Sequence, residues 1–448
     1  MARYELATTF WTISCAGATL TMMSGTIGRK GRTTTRTFPS AGAAEAARDA
    51  FVRAKLAAGY RLVEPAAAMA ATMAGEPIAA EAAGLEASLI ADPSDPAAYA
   101  VYADWLQHRG DPRGALIALQ LAREAELAKN PKARSALATA IARHFERHAA
   151  GLLGELAAYV PDVRDPASGP FTWRRGFIDR VVLDTHPGGD LGAIVLAVLG
   201  HPSGRFVREL AIRSDELDEA HRVIDALAAA PPPILAELEL LVRDARLELG
   251  ALWPAARRLR RLTVVARAFE LGAVCAPAVE RARFATARLS GDSMRAIAAA
   301  PWPALARLEL RFGGRLEPSS ATLDDLKRLL VRTDLPALTH LKLRGCEHAG
   351  EALAALAGAP LGRQLVVIDL SHGHVDRAEL RMLAGHVASF PALRELWLPG
   401  EILPDAQRLL AGIATHLISD TRGALDTFDD DVARPAPGSG STPGRPRG

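Results

Sequence analysis

The chain has little that points to a disulfide framework, an aromatic core or a membrane. Its 448 residues contain three cysteines, Cys15, Cys275 and Cys346, which lie far apart without a C-x-x-C pair. This spacing argues against disulfides and a structural zinc site. Aromatic residues make up only 5%, so the core must be aliphatic, and no apolar run reaches the length of a membrane span. These absences favour a reducing, cytoplasmic compartment and no membrane association.

Motifs of cofactor-dependent enzymes are also missing. No G-x-x-x-x-G-K-[ST] loop and no G-x-S-x-G elbow occurs. His144 and His148 stand one helical turn apart, and His372-Gly373-His374-x-Asp376 resembles a metal loop in composition. We interpret the first pair as solvated helix residues and the second group as a polar turn. The sequence therefore predicts a protein without catalysis, cofactor or bound metal.

One short apolar phrase recurs from residue 178 to residue 398. It consists of an apolar residue, two others, a second apolar residue, one other and a third apolar residue. Copies begin on average about 27 residues apart, at Ile178, Val207, Leu235, Leu259, Val279, Leu305, Leu338, Leu365 and Leu393. A fixed period of this length predicts stacked repeats whose neighbours bury one continuous core.

Each copy predicts a short strand, and the residues before it predict a helix. In one copy the alternation places Leu341 and Leu343 on one face and His340 and Lys342 on the other. The segment 322–330 has apolar residues at helical spacing. Parallel strands in one row would leave the outward-facing residues as an open surface.

The period and the phrase resemble leucine-rich repeats. That family usually places Asn or Cys three residues after the third apolar position, and Cys346 fits this rule. Other copies have Asp215, Arg243, Arg267, Gly313, Gly373 and Glu401 there. The resemblance implies an α/β solenoid with a parallel strand row and irregular turns.

The first 64 residues predict short strands followed by one helix, for which Ser40 is a candidate N-cap. They resemble a WGR domain, a small module of antiparallel strands and one helix. The matching residues are Phe10-Trp11, Gly25-Thr26-Ile27-Gly28-Arg29-Lys30-Gly31, Thr37-Phe38, Lys55-Leu56 and Gly59-Tyr60. The tripeptide that names the family falls on Ser24-Gly25-Thr26, so its Trp and Arg are absent.

Positive charge is concentrated in the same segment. Residues 1–65 hold nine Lys or Arg against four Asp or Glu, a net of +5, whereas the whole chain carries +2. In relatives that bind DNA the missing Trp and Arg take part in the contact, so charge alone would attract phosphates here. The alternative function is therefore weak nucleic-acid binding by Arg29, Lys30, Arg32 and Arg36. The structural interpretation is a solvated edge hairpin that its charges keep from aggregating.

A compact helical unit is predicted for residues 85–176. Asp95-Pro96 and Asp111-Pro112 each place an N-cap before a proline at the first helical position. Together with Tyr102-Ala103-Asp104-Trp105-Leu106, they resemble a repeat-companion domain of bacterial proteins, found beside degenerate leucine-rich repeats. The resemblance implies that these helices cap the solenoid, whose first repeat would otherwise expose its core to water.

The predicted fold class is multidomain: a small α+β N-terminal domain, a helical cap, and an α/β leucine-rich-repeat solenoid with a parallel strand row. The predicted boundaries are 1–64 for the WGR-like domain, 65–84 for an Ala-rich linker, 85–176 for the helical capping unit, 177–416 for the solenoid and 417–448 for a disordered tail.

The predicted function is a non-catalytic intracellular scaffold that binds a protein partner on the open strand face. Trp397 lies between Leu396 and Leu398, so it should point away from the core, and an exposed Trp is a common anchor for a partner. The candidate partner-binding residues are Glu309, Arg311, Lys342, Arg344, Asp369 and Trp397.

Overall fold

The computed structural model of the chain divides into two compact units, Met1–Ala87 and Ser88–Gly448. It describes residues 2–6, 9–16, 18–26, 32–57, 60–63, 76–126, 130–165, 168–184, 190–313, 319–400, 404–410 and 412–420. No helix among these residues is long and apolar enough to cross a lipid bilayer.

The first unit contains an antiparallel sheet with strand order β4-β3-β2-β1-β5. Its elements are β1 (Ala2–Leu6), β2 (Thr9–Ala16), β3 (Thr19–Thr26), β4 (Arg32–Thr37), α1 (Ala41–Ala57) and β5 (Arg61–Val63). Ser40 Oγ accepts a hydrogen bond from the Ala43 backbone N–H at 3.2 Å, as expected of an N-cap. Trp11, Ile13 and Leu20 form the buried centre of this unit.

A run of helices follows: α2 (Glu76–Ala91), α3 (Pro96–His108), α4 (Pro112–Glu126) and α5 (Pro131–Leu153). Asp95 caps α3 by accepting from the backbone N–H groups of Ala97 and Ala98. Proline opens three of these helices because its missing N–H would be unsatisfied there in any case. Residues 65–75 of the predicted linker 65–84 lie outside the described residues. Residues 76–84 of the predicted linker lie in α2.

The second unit is mixed α/β and is dominated by one long sheet. Among the described residues the sheet has eleven strands in sequential order, with β7 to β16 parallel and β6 antiparallel to β7. The strands are β6 (Phe171–Arg174), β7 (Phe177–Asp184), β8 (Glu209–Ser214), β9 (Glu237–Glu248), β10 (Arg261–Glu270), β11 (Arg281–Thr286), β12 (Arg307–Arg311), β13 (His340–Arg344), β14 (Val367–Asp369), β15 (Glu395–Pro399) and β16 (His416–Asp420).

The nine copies of the apolar phrase coincide with β7 to β15. In each of these strands the second and third apolar residues enter one continuous core, where the buried residues of the helices also lie. The helices are α6 (Leu191–Gly200), α7 (Leu217–Ala229), α8 (Gly291–Ala299), α9 (Leu323–Leu330), α10 (Ala349–Ala357), α11 (Arg377–Ala384) and α12 (Pro404–Leu409). A 3-10 segment, Gly250–Arg258, with Pro254 inside it, takes the helix position between β9 and β10.

The C-terminal end differs from the prediction. The last helix, α12, ends at Leu409, and Gly412 has a φ of +93°, a value that L residues rarely adopt. The chain then forms β16, which pairs in parallel with β15. The predicted tail 417–448 therefore begins inside a strand, and its part beyond residue 420 lies outside the described residues.

A two-residue hairpin joins β6 to β7 at Arg175 and Gly176, whose φ values are 48° and 82°. Arg175 is a non-glycine residue in the left-handed backbone region, and it is only 6% exposed. Its guanidinium donates to Glu124 Oε2 at 3.0 Å and to the Ser94 carbonyl at 2.8 Å, and lies 5.1 Å from the ring centre of Tyr99. These contacts with α3, α4 and the turn before α3 offset the strain of the turn.

Candidate functional site on the polar face of the sheet

The residues that alternate with the core residues of β7 to β16 form a second face of the sheet, which we call the polar face. On β13 and β15 the pattern is regular, with half-buried residues on either side of each buried leucine. A small apolar cluster on this face, Leu241, Val265 and Ala285, is separate from the main core. The remaining positions are mostly charged.

Trp397 lies on the polar face, as the alternation predicts. It is half-buried, and its register neighbours are Asp369 on β14 and Ile418 on β16. The indole Nε1–H lies 3.4 Å from Glu395 Oε2, at the long end of a hydrogen bond. The indole is thus partly accessible and held in place by a neighbour on its own strand.

Two other predicted contact residues are not accessible. Arg311 and Asp369 are each 5% exposed. Asp369 accepts from the Ser371 backbone N–H at 3.0 Å and pairs with Lys342 Nζ at 3.7 Å. The alternation gives the correct face for both residues, but side chains of adjacent strands cover them. Little of either side chain is exposed to a partner, and direct contact with one stays a prediction.

Glu309 and Arg344 are occupied by neighbouring side chains. Glu309 Oε1 lies 3.2 Å from Arg283 Nε and 3.7 Å from Arg344 Nη1. Arg344 also reaches His372 Nε2 at 2.9 Å. Lys342, with a side chain 40% exposed, is the more accessible of the predicted cations. Most of the charged residues predicted to bind a partner therefore form ion pairs within the protein. Lys342 and Trp397 are the members of the predicted set that remain partly accessible.

Four basic residues occupy equivalent positions on four adjacent strands, and we call them the basic row: Arg261, Arg281, Arg307 and His340. They pair directly in register from β10 to β13. Neighbouring members are therefore about 4.8 Å apart along the hydrogen-bonding direction. Like charges so close repel one another unless anions balance them.

Acidic neighbours balance only part of this charge. Arg261 Nη1 lies 2.9 Å from Glu237 Oε2, and Arg283 is paired with Glu309 as described above. Arg281 and Arg307 are exposed. Within the described residues, neither of these two side chains forms an ion pair or a hydrogen bond. The surface thus has two adjacent guanidinium groups without a counter-ion.

A cavity of about 160 Å³ lies over the basic row. It is lined by the whole row and by Thr263, Arg283, Glu309 and Lys342, with Leu262, Ala282 and Leu308 between them. Burial lowers the pKa of His340 in this cavity, and the positive charge of Arg307 lowers it further. Both effects disfavour the imidazolium form, so the positive charge at the cavity comes mainly from its arginines and Lys342.

A second cavity, of about 280 Å³, lies among the turns after β12, β13 and β14 and is lined in part by Cys346, His372 and His374. Burial raises the pKa of the Cys346 thiol to about 12, so it is protonated and unsuited to nucleophilic attack. His372 is bonded to Arg344. Among the described residues there is no group of three His, Cys, Asp or Glu that could hold a metal ion.

His144 and His148 do lie close together, with ring centres 4.6 Å apart. His144 Nε2 is 2.8 Å from the Pro112 carbonyl oxygen, so this nitrogen bonds the start of α4. Burial lowers the pKa of His144. The pair ties α5 to α4 and has no third ligand among the described residues.

The basic residues of the first unit are described only in part. Arg32 and Arg36 are exposed on β4, an edge strand of the antiparallel sheet. The Arg36 guanidinium lies 5.5 Å from the ring centre of Phe51. Arg29 and Lys30 lie outside the described residues. Nucleic-acid binding by these four residues stays a prediction.

Sequence reasoning missed Arg261, Arg281, Arg283, Arg307 and His340 as site residues. Arg261, Arg281 and Arg283 lie on β10 and β11, which belong to loose copies of the apolar phrase that start at Leu259 and Val279. Alignment of all nine copies in register would have shown the basic row, because each member directly precedes the second apolar residue of its copy.

Comparison with known proteins adds a distant structural likeness. No family model matches the chain. No curated protein matches it. One solved structure similar to the chain is a crystal structure of a protein from Bacteroides fragilis, which is 13% identical, with a TM-score of 0.46 and coverage of 95% of this chain and 96% of that one.

Proposed function

We propose that the protein is a non-catalytic scaffold whose polar sheet face binds a protein partner. The observation that carries the proposal is the combination, on one face, of a partly accessible Trp397 with the exposed cations of the basic row. Lys342 and Trp397 lie at equivalent positions two strands apart, about 10 Å. One partner segment can therefore contact an aromatic anchor and a charged patch together.

The proposal includes the architecture that the sequence predicts. Except between β10 and β11, strands and helical segments alternate along β7 to β16 in the manner of leucine-rich repeats, and the helices α3 to α5 act as a cap. The cap is supported by the contacts that Arg175 and Gly176 make with it. The Gly176 backbone N–H donates to Gln120 Oε1 at 2.7 Å. A cytoplasmic location is part of the same proposal.

The test is the change Trp397→Ala in the full chain. We expect capture of a partner from a cell extract to be lost, while the unfolding free energy falls by no more than about 1 kcal/mol, because the side chain is outside the core. The matched control is Trp105→Ala, which removes a half-buried Trp stacked on Tyr102 in α3. Loss of the same captured protein with both variants, or a large loss of stability with Trp397→Ala, would contradict the proposal.

A further inference from the structure

The two unpaired guanidiniums differ from every other charged group lining the cavity over the basic row. Arg261, Arg283 and Lys342 each have an acidic partner, at 2.9, 3.2 and 3.7 Å. Glu309 is neutralised by Arg283. The uncompensated charge is therefore about two positive units, located at Arg281 and Arg307. A ligand that matches it carries about two negative charges.

The geometry favours a tetrahedral oxyanion over a spread-out anion. A guanidinium presents a planar fork of N–H donors that matches phosphate oxygens, and such contacts are frequently bidentate. Arg281 and Arg307 stand on adjacent strands about 4.8 Å apart, so both forks can reach one group. The cavity of about 160 Å³ is several times the size of a water molecule. A phosphoryl group on a side chain carries about −1.5 to −2 charges at pH 7.

The surroundings argue against a long polyanion. Nucleic-acid binding needs a series of cations that can each release a counter-ion from a phosphate. Beside the basic row stand Glu239, Glu309 and Asp369, and the cations next to them are already paired. A nucleic-acid backbone crossing this face would meet those carboxylates. One dianionic group avoids them.

We propose that Arg281 and Arg307 bind a phosphoryl group carried by a serine or threonine side chain of a protein partner. This inference rests on the proposed function and names the chemistry of the partner. Thr263 and Lys342 line the same cavity and provide further donors. Trp397, two strands beyond Lys342, contacts residues that flank the phosphorylated one.

The experiment uses the full chain and two fluorescent peptide pools with mixed flanking residues, one with phosphoserine at the central position and one with serine. Binding is followed by fluorescence anisotropy at fixed ionic strength. We expect the phosphoserine pool to bind at least tenfold more tightly. The double variant Arg281→Gln/Arg307→Gln should abolish this difference.

The matched control is Arg222→Gln/Arg377→Gln, which removes two helix arginines paired with Asp190 and Asp405. It should retain the full preference, and circular dichroism and melting should show that both double variants are folded. No preference in the wild type, or a preference that survives Arg281→Gln/Arg307→Gln, would overturn the inference. Displacement of the phosphoserine pool by a single-stranded oligonucleotide at equal phosphate concentration would instead assign the cavity to nucleic acid, and would also overturn it.

The outcome is separable from that of the proposed function. If Trp397→Ala abolishes partner capture while the two pools bind equally, the scaffold stands and the phosphoryl site falls. If the pools are discriminated but Trp397→Ala changes nothing, the phosphoryl site stands and the role of Trp397 falls.

Discussion

Arginines of the second unit use their hydrogen-bond donors in two opposite ways, as a comparison of Arg175 with Arg281 and Arg307 shows. Arg175 is almost completely buried, and its donors are used by Glu124 and by backbone carbonyls of the turn before α3. Arg281 and Arg307 are exposed and have no ion pair within the described residues. An arginine whose donors are all used inside the protein maintains the fold. One whose donors are left open on a charged surface is available for a ligand.

The largest expected effect tests the buried member of this comparison. Among the described residues, Arg175→Met leaves the Ser94 carbonyl without a side-chain donor and Glu124 with only Arg174 as an ion-pair partner. We expect the free energy of unfolding, measured by urea denaturation, to fall by about 2–4 kcal/mol. Phosphoserine binding should be unchanged among folded molecules.

The control for that variant is Arg174→Met. The Arg174 side chain is 39% exposed and contacts the other oxygen of the same Glu124 carboxylate. Its loss should cost less than about 1 kcal/mol, as is usual for exposed ion pairs. Equal losses for the two variants would mean that the burial of Arg175 contributes nothing to the stability of the hairpin.

A smaller effect is expected when the paired arginines near the cavity lose their counter-ion and so resemble Arg281 and Arg307. Glu309→Gln removes the carboxylate that balances Arg283 and Arg344. The surplus positive charge beside the cavity rises, so the affinity for the phosphoserine pool should increase about three- to tenfold, up to about 1.4 kcal/mol. Glu146→Gln, which removes the partner of the exposed Arg164 at α5 and is not part of the cavity lining, is the control. An unchanged or weaker affinity for Glu309→Gln would mean that local charge does not govern binding.

The smallest effect is a change of pKa at His340. Burial is the first cause that lowers this pKa; Arg307, Lys342 and Arg281 also lower it, and Glu395 raises it. A bound dianion favours the imidazolium form, so the pKa of His340 should rise. Sulfate is the suitable probe because its charge is constant from pH 5 to 8, and the pKa is read from the imidazole C–H resonance.

His416 provides the internal control for the titration. It occupies the equivalent position on β16, three strands from β13, and is exposed. Its imidazole C–H resonance should be unaffected by the addition of sulfate. Equal shifts of the two histidines would show a general salt effect rather than an anion in the cavity.

The fold was predictable where the residues of one segment are enough to show that it forms a strand. The copies at Leu305, Leu338 and Leu393 carry three leucines each, and all three became strands with buried second and third leucines. The strand β16 was not predictable in the same way. Its phrase runs Ala414, Leu417, Ser419, with one large apolar residue, and it is a strand because β15 offers it a free edge.

The site was predictable only as a face. Alternation places Arg311 and Trp397 on the polar face correctly, but it contains no information about which neighbours cover a side chain. Arg281 and Arg307 lie 26 residues apart in the sequence, and their lack of counter-ions depends on what stands on the flanking strands. Accessibility and pairing arise between repeats, so one copy taken alone cannot reveal them.

The reversed direction of β6 has a consequence for growth and self-association. Among the described strands, β16 forms one edge of the long sheet and runs parallel to its neighbour. The opposite edge is β6, which runs antiparallel to β7. A second copy placed end to end in the same orientation would pair with β6 in the antiparallel sense, so the parallel ladder would not continue across the contact. Duplication of an internal strand and helix, in contrast, preserves both ends. The parallel ladder can therefore lengthen by internal duplication but not by end-to-end addition of copies.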